Sequence, residues 1–234
     1  MTAEHSIFQR MELILGAENI RQLSSKCVMI VGIGGVGGYA AELVVRSGVG
    51  SVVIVDGDIV EEGNINRQII ALHSTIGRSK TAVMEQRLTD INPDVHITAI
   101  DRFIKPEDVA ELIGNNPADI IIDAIDSVQT KAELIRYAFS SNIPIISSMG
   151  AGKRTLAEKV MITTLDKTHH DGLSKAVRRA VNNNEICRNL KVVFSSQEPV
   201  GQSDSTPVIG SISYIPATFG IYLAQYTINY LLNL

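Results

Sequence analysis

The sequence predicts an α/β fold: a doubly wound, mainly parallel sheet with a C-terminal elaboration. Three observations carry this. Short unbroken apolar runs recur across residues 26–150, as in strands buried on both faces. Stretches with helical spacing separate them, so strand and helix alternate. A glycine-rich turn follows the first run. The chain has 234 residues, 45% of them hydrophobic, which is enough for a sizeable core.

KCVMIV (26–31) is the first strand, and after the glycines GYAAELVVRSG (38–48) reads as a helix stopped by Gly48. SVVIVD (51–56) is a second buried strand, RSKTAVMEQRLTDIN (78–92) a helix that ends before Pro93, and VHITAID (95–101) a third strand. PEDVAELIGN (106–115) starts a helix on proline, whose missing N–H is harmless in a first turn. ADIIIDAID (118–126) is a fourth strand with an acidic tip, VQTKAELIRYAFSSN (128–142) a helix, and PIISSMG (144–150) a fifth strand. Beyond Gly150 the alternation lapses. EKVMITTL (158–165) and LKVVFSS (190–196) read as strands without regular crossovers, and SKAVRRAV (174–181) as a short basic helix. The expectation is one domain, with a core at 20–150, a basic insert at 151–191, and C-terminal strands and a helix at 192–234.

Composition excludes several classes. The two cysteines, Cys27 and Cys187, form no CxxC pair, so neither a four-cysteine zinc site nor a disulfide framework is expected. Cys27 opens a buried strand, whereas Cys187 is read on a polar loop beside Arg188. Tryptophan is absent and aromatics are 5%, against a wide base-stacking platform. MTAEHSIFQRMELILG is not a signal peptide, because Glu4, Arg10 and Glu12 interrupt it, and a cytoplasmic location is expected. Residues 205–234 carry no charge, but Pro207, Gly210, Pro216 and Gly220 break the run. TFGIYLAQYTINYLLNL (218–234) falls short of the about 20 residues a span needs, so a buried strand and helix are expected and membrane association is not. The formal net charge is −4, yet residues 151–191 hold nine Lys/Arg against four Asp/Glu. Charge alone leaves two readings of that insert, a phosphate-backbone footprint or a solvated helix face.

GIGGVG (32–37) stands between a predicted strand and a predicted helix, the context of a phosphate-binding turn. Gly32, Gly34, Gly35 and Gly37 would let backbone approach a phosphate. Asp56 ends the second strand and suits ribose hydroxyls. The motif makes the fold Rossmann-like without separating NAD from ATP or S-adenosylmethionine. Residues further along the chain discriminate: Asp58, Asn64, Asn66, Arg67 and Gln68, then Lys80 at the start of a helix. Cations close to one nucleotide neutralise a polyphosphate and its leaving group. Asp126, beside Ser127 at the tip of the fourth strand, suits a Mg²⁺ held between carboxylate and phosphate oxygens.

On GxGGxG at 32–37, DxD at 56–58, NxNRQ at 64–68, Lys80 and AIDS at 124–127, the chain resembles the ThiF/MoeB/HesA superfamily, bacterial relatives of the ubiquitin-activating enzymes. The resemblance runs from about residue 7 to the end. It implies ATP and Mg²⁺, with transfer of AMP to a carboxylate. By that resemblance Arg67 and Lys80 take the phosphates, Asp56 the ribose and Asp126 the metal. Arg10 would reach into a partner subunit, implying a homodimer. RQIIALHSTIGRSK (67–80), SSMGAGKR (147–154), THHDGLSKAVRR (168–179), KVVFSSQEP (191–199) and GSISYIPATFG (210–220) are similar to one subgroup, the tRNA threonylcarbamoyladenosine dehydratases. That similarity implies a tRNA substrate met by Lys153, Arg154, His170, Lys175, Arg178 and Arg179. It also implies a sulfur-relay helper protein. The loop at 144–155 is, separately, a candidate position for a monovalent cation (Na⁺ or K⁺). The alternative is an adenylyltransferase for the C-terminus of a ubiquitin-like sulfur carrier, a group whose usual zinc-binding cysteine pairs are missing here.

Overall fold

The computed structural model describes residues 7–201 and 209–234, so Glu4 and Pro207 lie outside the described residues. Seven strands form one sheet: β1 (Cys27–Val31), β2 (Ser51–Asp56), β3 (His96–Asp101), β4 (Ile120–Asp123), β5 (Ile145–Ser148), β6 (Val160–Thr164) and β7 (Lys191–Ser195). Their spatial order is β3-β2-β1-β4-β5-β7-β6. All neighbours are parallel except β6, which runs antiparallel to β7 at the edge. Val28 of β1 faces Val52 of β2 on one side and Ile120 of β4 on the other. The chain winds outward in both directions from β1 and β4. A crevice therefore opens above their carboxyl ends, where such sheets bind ligands.

The apolar runs have two burial partners because successive side chains point to opposite faces. Val28, Ile30, Val52, Ile54, Ile120 and Ile122 pack on one face with helices α3 (Gly37–Arg46), α4 (Lys80–Ile91) and α9 (Tyr214–Leu232). Met29, Val31, Val53, Val55 and Ile121 pack on the other with α5 (Val109–Asn115), α6 (Val128–Ser140), α7 (Gly172–Val181) and α8 (Asn184–Asn189). Two short helices, α1 (Gln9–Leu15) and α2 (Ala17–Ser24), precede β1 and escaped the sequence reading.

Three expectations need correction. The fourth strand ends at Asp123, and residues 124–127 turn outward as a loop. Pro216 and Gly220 do not break the last helix, which starts earlier, at Tyr214. Pro216 falls in its first turn, where no N–H is required. A Cβ at Gly220 would stand 2.7 Å from Tyr39 Cβ and from the Val36 carbonyl, so glycine lets α9 lie close on α3. Finally, residues 209–213 form no strand. Among the described residues no helix is long and apolar enough to cross a membrane.

Glu42 ties α3 to α4. It is mostly buried and accepts from Arg46 Nε at 2.7 Å and from Arg87 Nε. Burial alone would push its carboxyl pKa up, but hydrogen bonds and charge from Arg87 and Arg46 together hold it below the ordinary 4.5. A lowered folded pKa gives stability that is present above the unfolded value and lost as pH falls through the folded one. Glu42→Gln is therefore expected to lose about 1–2 kcal/mol in urea unfolding at neutral pH. The gap to wild type should close as the pH falls below about 4.

Candidate active site

A cavity of about 540 Å³ sits at the carboxyl ends of β1, β2 and β4. Its floor is the glycine turn. Gly32 has φ +85° and would place any Cβ 2.9 Å from the Ala124 carbonyl group. A Cβ on Gly37 would fall 1.8 Å from the Gly32 carbonyl oxygen. The turn therefore closes only with glycine at both ends. Gly32, Gly34 and Gly35 line the cavity, whereas Gly37 does not: it was expected to touch the nucleotide, and it serves turn closure instead. Asp56 Oδ2 accepts from Ile33 N at 2.9 Å, and Oδ1 from Asp58 N at 2.9 Å. Each oxygen keeps a further lone pair for a hydroxyl in the cavity.

The NINRQ segment forms one wall. Asn64 is buried and caps its own turn by accepting from Glu61 N at 3.2 Å. Arg67 Nη1 donates to the Gly63 carbonyl at 2.8 Å and to Asn66 Oδ1 at 2.9 Å. The guanidinium is thereby oriented, and its other N–H groups stay available at the cavity. Asn66 is exposed, lies off the cavity, and donates to the Ser211 carbonyl at 3.1 Å, so it steadies Arg67 rather than lining the site. Gln68 is buried, and its Oε1 has no partner among the described residues. Lys80 is only 5% exposed, and its Nζ lies 2.7 Å from Asp58 Oδ2. Asp126 and Ser127 face the cavity from the turn between β4 and α6.

The sequence reading missed part of the lining. Arg102, Phe103 and Ile104 enter from the loop after β3, Ile209 and Ser211 from the approach to α9, and Pro216 from the first turn of α9. Arg102 stands at the end of a parallel strand next to the crevice strands, which is the available signal. The approach to α9 has no local signature. Arg10 is exposed and does not line the cavity of its own chain.

The basic insert divides. His170, Lys175 and Arg179 are exposed, and Lys153 is half-buried. Arg154 and Arg178 turn inward, which corrects the reading of both as tRNA contacts. Arg154 is 4% exposed, with Nη2 donating to the His170 carbonyl at 2.6 Å. Burial lowers its pKa from the usual arginine value, with Asp171 opposing. Arg178 Nη1 holds the carbonyls of Leu165 and Thr168 at 3.0 Å and the Thr168 hydroxyl. Asp171 accepts from Gly150 N at 3.0 Å and caps α7 through Leu173 N and Ser174 N. These bonds bind the insert to the loop after β5.

Cys187 is likewise corrected. It lies on α8, is buried within the core, and burial raises its thiol pKa from 9.0. A raised pKa keeps it protonated and a poor nucleophile. Cys187→Ser is expected to lose about 1–2 kcal/mol of stability in denaturant titration while retaining full turnover.

A mainly parallel sheet, a glycine turn over its switch point and an Arg/Lys/Asp-lined crevice define the class. The chain belongs to the ThiF family, whose model matches residues 8–234. Its relatives narrow this further. It is 38% identical over 193 residues to the tRNA threonylcarbamoyladenosine dehydratase of Bacillus subtilis, covering 82% of this chain and 76% of that protein. It is 36% identical over 234 residues to the Haemophilus influenzae protein of the same name, covering 92% and 89%. The crystal structure of Escherichia coli tRNA N6-threonylcarbamoyladenosine dehydratase, TcdA, in complex with ATP, matches with a TM-score of 0.92 and 31% identity, over 100% of this chain and 96% of that one.

Proposed function

We propose that the chain is an ATP-dependent enzyme that dehydrates tRNA threonylcarbamoyladenosine, activating the threonyl carboxylate and cyclising it on the adenosine next to the anticodon. The observation that carries this is Arg67, Lys80 and Asp126 meeting over the glycine turn, in a chain that matches a whole ATP-bound dehydratase.

Over the glycine turn, Asp56 would hold the ribose of ATP, and Arg67 and Lys80 its phosphates. A threonyl carboxylate oxygen attacks phosphorus, and the bond to the leaving phosphate breaks. Arg67 and Lys80 stabilise the charge that develops there. A nucleophile of the same modified base, giving up its proton, then displaces from the acyl carbon the phosphoryl group that was transferred to the carboxylate, and closes the ring. The balance is one water lost from the nucleoside, its oxygen carried away on phosphate. Closure within one molecule reaches effective molarities of about 10⁵–10⁸ M, so no protein thioester is needed. That suits a chain whose Cys187 is buried.

Asp126 fits Mg²⁺: its carboxylate is exposed at the cavity, and no described residue bonds to it. Bound there, the ion would neutralise phosphate charge. The Ser148 carbonyl, within the segment expected to hold a monovalent cation, accepts from Lys131 Nζ at 3.0 Å. His170, Lys175, Arg179 and Lys153 form the tRNA-facing side. The reading treats the chain as one domain and places it in the cytoplasm as a homodimer. Exposed Leu13 (85%) and Ile14 (83%) on α1, beside Arg10, support the dimer. A sulfur-relay helper protein stays part of this reading through the family resemblance.

The test is incubation with ATP, Mg²⁺ and tRNA bearing threonylcarbamoyladenosine, then digestion and nucleoside mass spectrometry. An ATP-dependent loss of one water is expected. An unchanged nucleoside, with ATP–pyrophosphate exchange on adding a ubiquitin-like carrier, would move the substrate from RNA to a protein tail.

A further inference from the structure

Beneath the crevice lies a buried ion cluster that the proposed chemistry does not use. Asp123 ends β4, and Lys131 lies one turn into α6; both side chains are 0% exposed. Lys131 Nζ donates to Asp123 Oδ2 at 2.8 Å, to Ser147 Oγ at 3.1 Å and to the Ser148 carbonyl at 3.0 Å. All three ammonium hydrogens thus have acceptors. Ser147 Oγ donates in turn to Asp123 Oδ2 at 2.6 Å. The other carboxylate oxygen, Oδ1, accepts from Ile125 N at 3.3 Å, inside the 124–127 turn.

The anchoring points are informative. Ala124, Ile125, Asp126 and Ser127 all line the cavity. The Ser148 carbonyl leads through Met149 and Gly150 into Ala151 and Gly152, which line it too. The third anchor, α6, begins directly after Ser127. One ammonium group therefore joins the three pieces of backbone that border the Asp126 side of the site.

Stability does not explain this choice. Removing two charges from water offsets most of their attraction, and apolar residues of similar volume hold such positions at least as well. A fully satisfied polar network adds direction, because its hydrogen bonds allow one arrangement of the groups they join. We infer that Asp123, Lys131 and Ser147 are positioning residues, holding the 124–127 turn and the 149–152 loop in one register so that Asp126 faces the phosphates while the loop faces the acyl group. The inference rests on the ATP-dependent reading above. None of the three lines the cavity, so each acts through Asp126 and the loop.

The test compares wild type with Asp123→Leu/Lys131→Met, which removes both charges together, and with Ser147→Ala as a milder change. The double variant is expected to melt within about 5 °C of wild type. In nucleotide-free protein, amide hydrogen exchange over 124–127 and 149–152 should speed up about tenfold while β1 and β2 keep their protection. Mn²⁺ binding in the presence of ATP, read by electron paramagnetic resonance, should weaken about tenfold, and kcat should fall about 30-fold with KM for tRNA within about threefold. Ser147→Ala should shift the same readouts about threefold.

Unchanged exchange in both segments together with unchanged Mn²⁺ binding would overturn the inference. If the double variant fails to fold, Ser147→Ala decides by the same two readouts. Should wild type show no dehydration, the function reading falls, and the exchange and Mn²⁺ measurements still judge the positioning role.

Discussion

Arg67→Ala is expected to lower kcat/KM for tRNA dehydration by about 10²–10³-fold, the usual loss when one oriented donor to a developing anion is removed. The guanidinium is held by the Gly63 carbonyl and Asn66 Oδ1, both on its own turn, so its free N–H groups are fixed before substrate arrives. Preorganisation of this kind makes a donor more effective than the same charge on a mobile chain. Arg67→Lys keeps the charge and loses the planar fork, so it should recover only about a tenth of wild-type activity. The melting temperature should hardly move, because both hydrogen bonds sit on an exposed turn. Steady-state kinetics on tRNA, beside a thermal melt, checks all three statements. An Arg67→Ala enzyme within about fivefold of wild type would remove Arg67 from the phosphate clamp.

Gly37→Ala is expected to be as damaging by a different route. The added methyl would lie 1.8 Å from the Gly32 carbonyl oxygen, and that neighbour is backbone, which cannot swing aside. The turn must open or α3 must retreat from β1. Either movement disturbs the packing of Ala40, Ala41, Val44 and Val45 against the sheet, all fully buried. The expected loss is about 4 kcal/mol, which for a chain of this size is about 10 °C in melting temperature. The nucleotide floor should fail with it, so ATP–Mg²⁺ that raises the wild-type melting temperature should leave the variant unmoved. Gly34→Ala is the control. Its Cβ would meet only Gln68 Nε2, at 3.7 Å, an ordinary contact, and its fold should survive.

Periodicity carries local information, and this chain shows how far that reaches. The five apolar runs between residues 26 and 150 become β1 to β5 within a few residues of the expected ends, because strands covered by helices on both faces are mostly apolar along their length; β3, at the sheet edge, is only half-buried. The spacing GIGGVG, its place between strand and helix, and Asp56 at the next strand end were legible for a related reason. Backbone closure at Gly32 and Gly37 forbids other residues whatever surrounds them. NINRQ, in a loop, and Lys80, at the start of a helix, were legible as a group of polar residues beside that turn, where a doubly wound sheet binds its ligands.

Long side chains were less predictable, because a basic residue reads alike in sequence whether it meets solvent or a buried carbonyl. Arg154 and Arg178 looked like their neighbours Lys153 and Arg179, yet both turn inward onto carbonyls from the 165–170 segment. Lys131 drew no notice within VQTKAEL, since its partners Asp123 and Ser147 stand 8 and 16 residues away and meet it only once β4 and β5 are paired. Cys187 was misplaced on a loop because a helix of six residues is too short to show a period. Gly220 passed for a breaker because its use, the approach of α9 to α3, joins segments from opposite ends of the chain.

The alternation of strands and helices along residues 26–150, the glycine turn and the chemical character of the crevice were therefore set by the sequence itself, since each depends on what neighbouring residues can and cannot adopt. Which cations face the cavity, which acids hold the backbone, and that the turn bearing Asp126 rests on a buried lysine were decided only in the tertiary structure, because those outcomes depend on which distant carbonyls and carboxylates come within hydrogen-bonding reach.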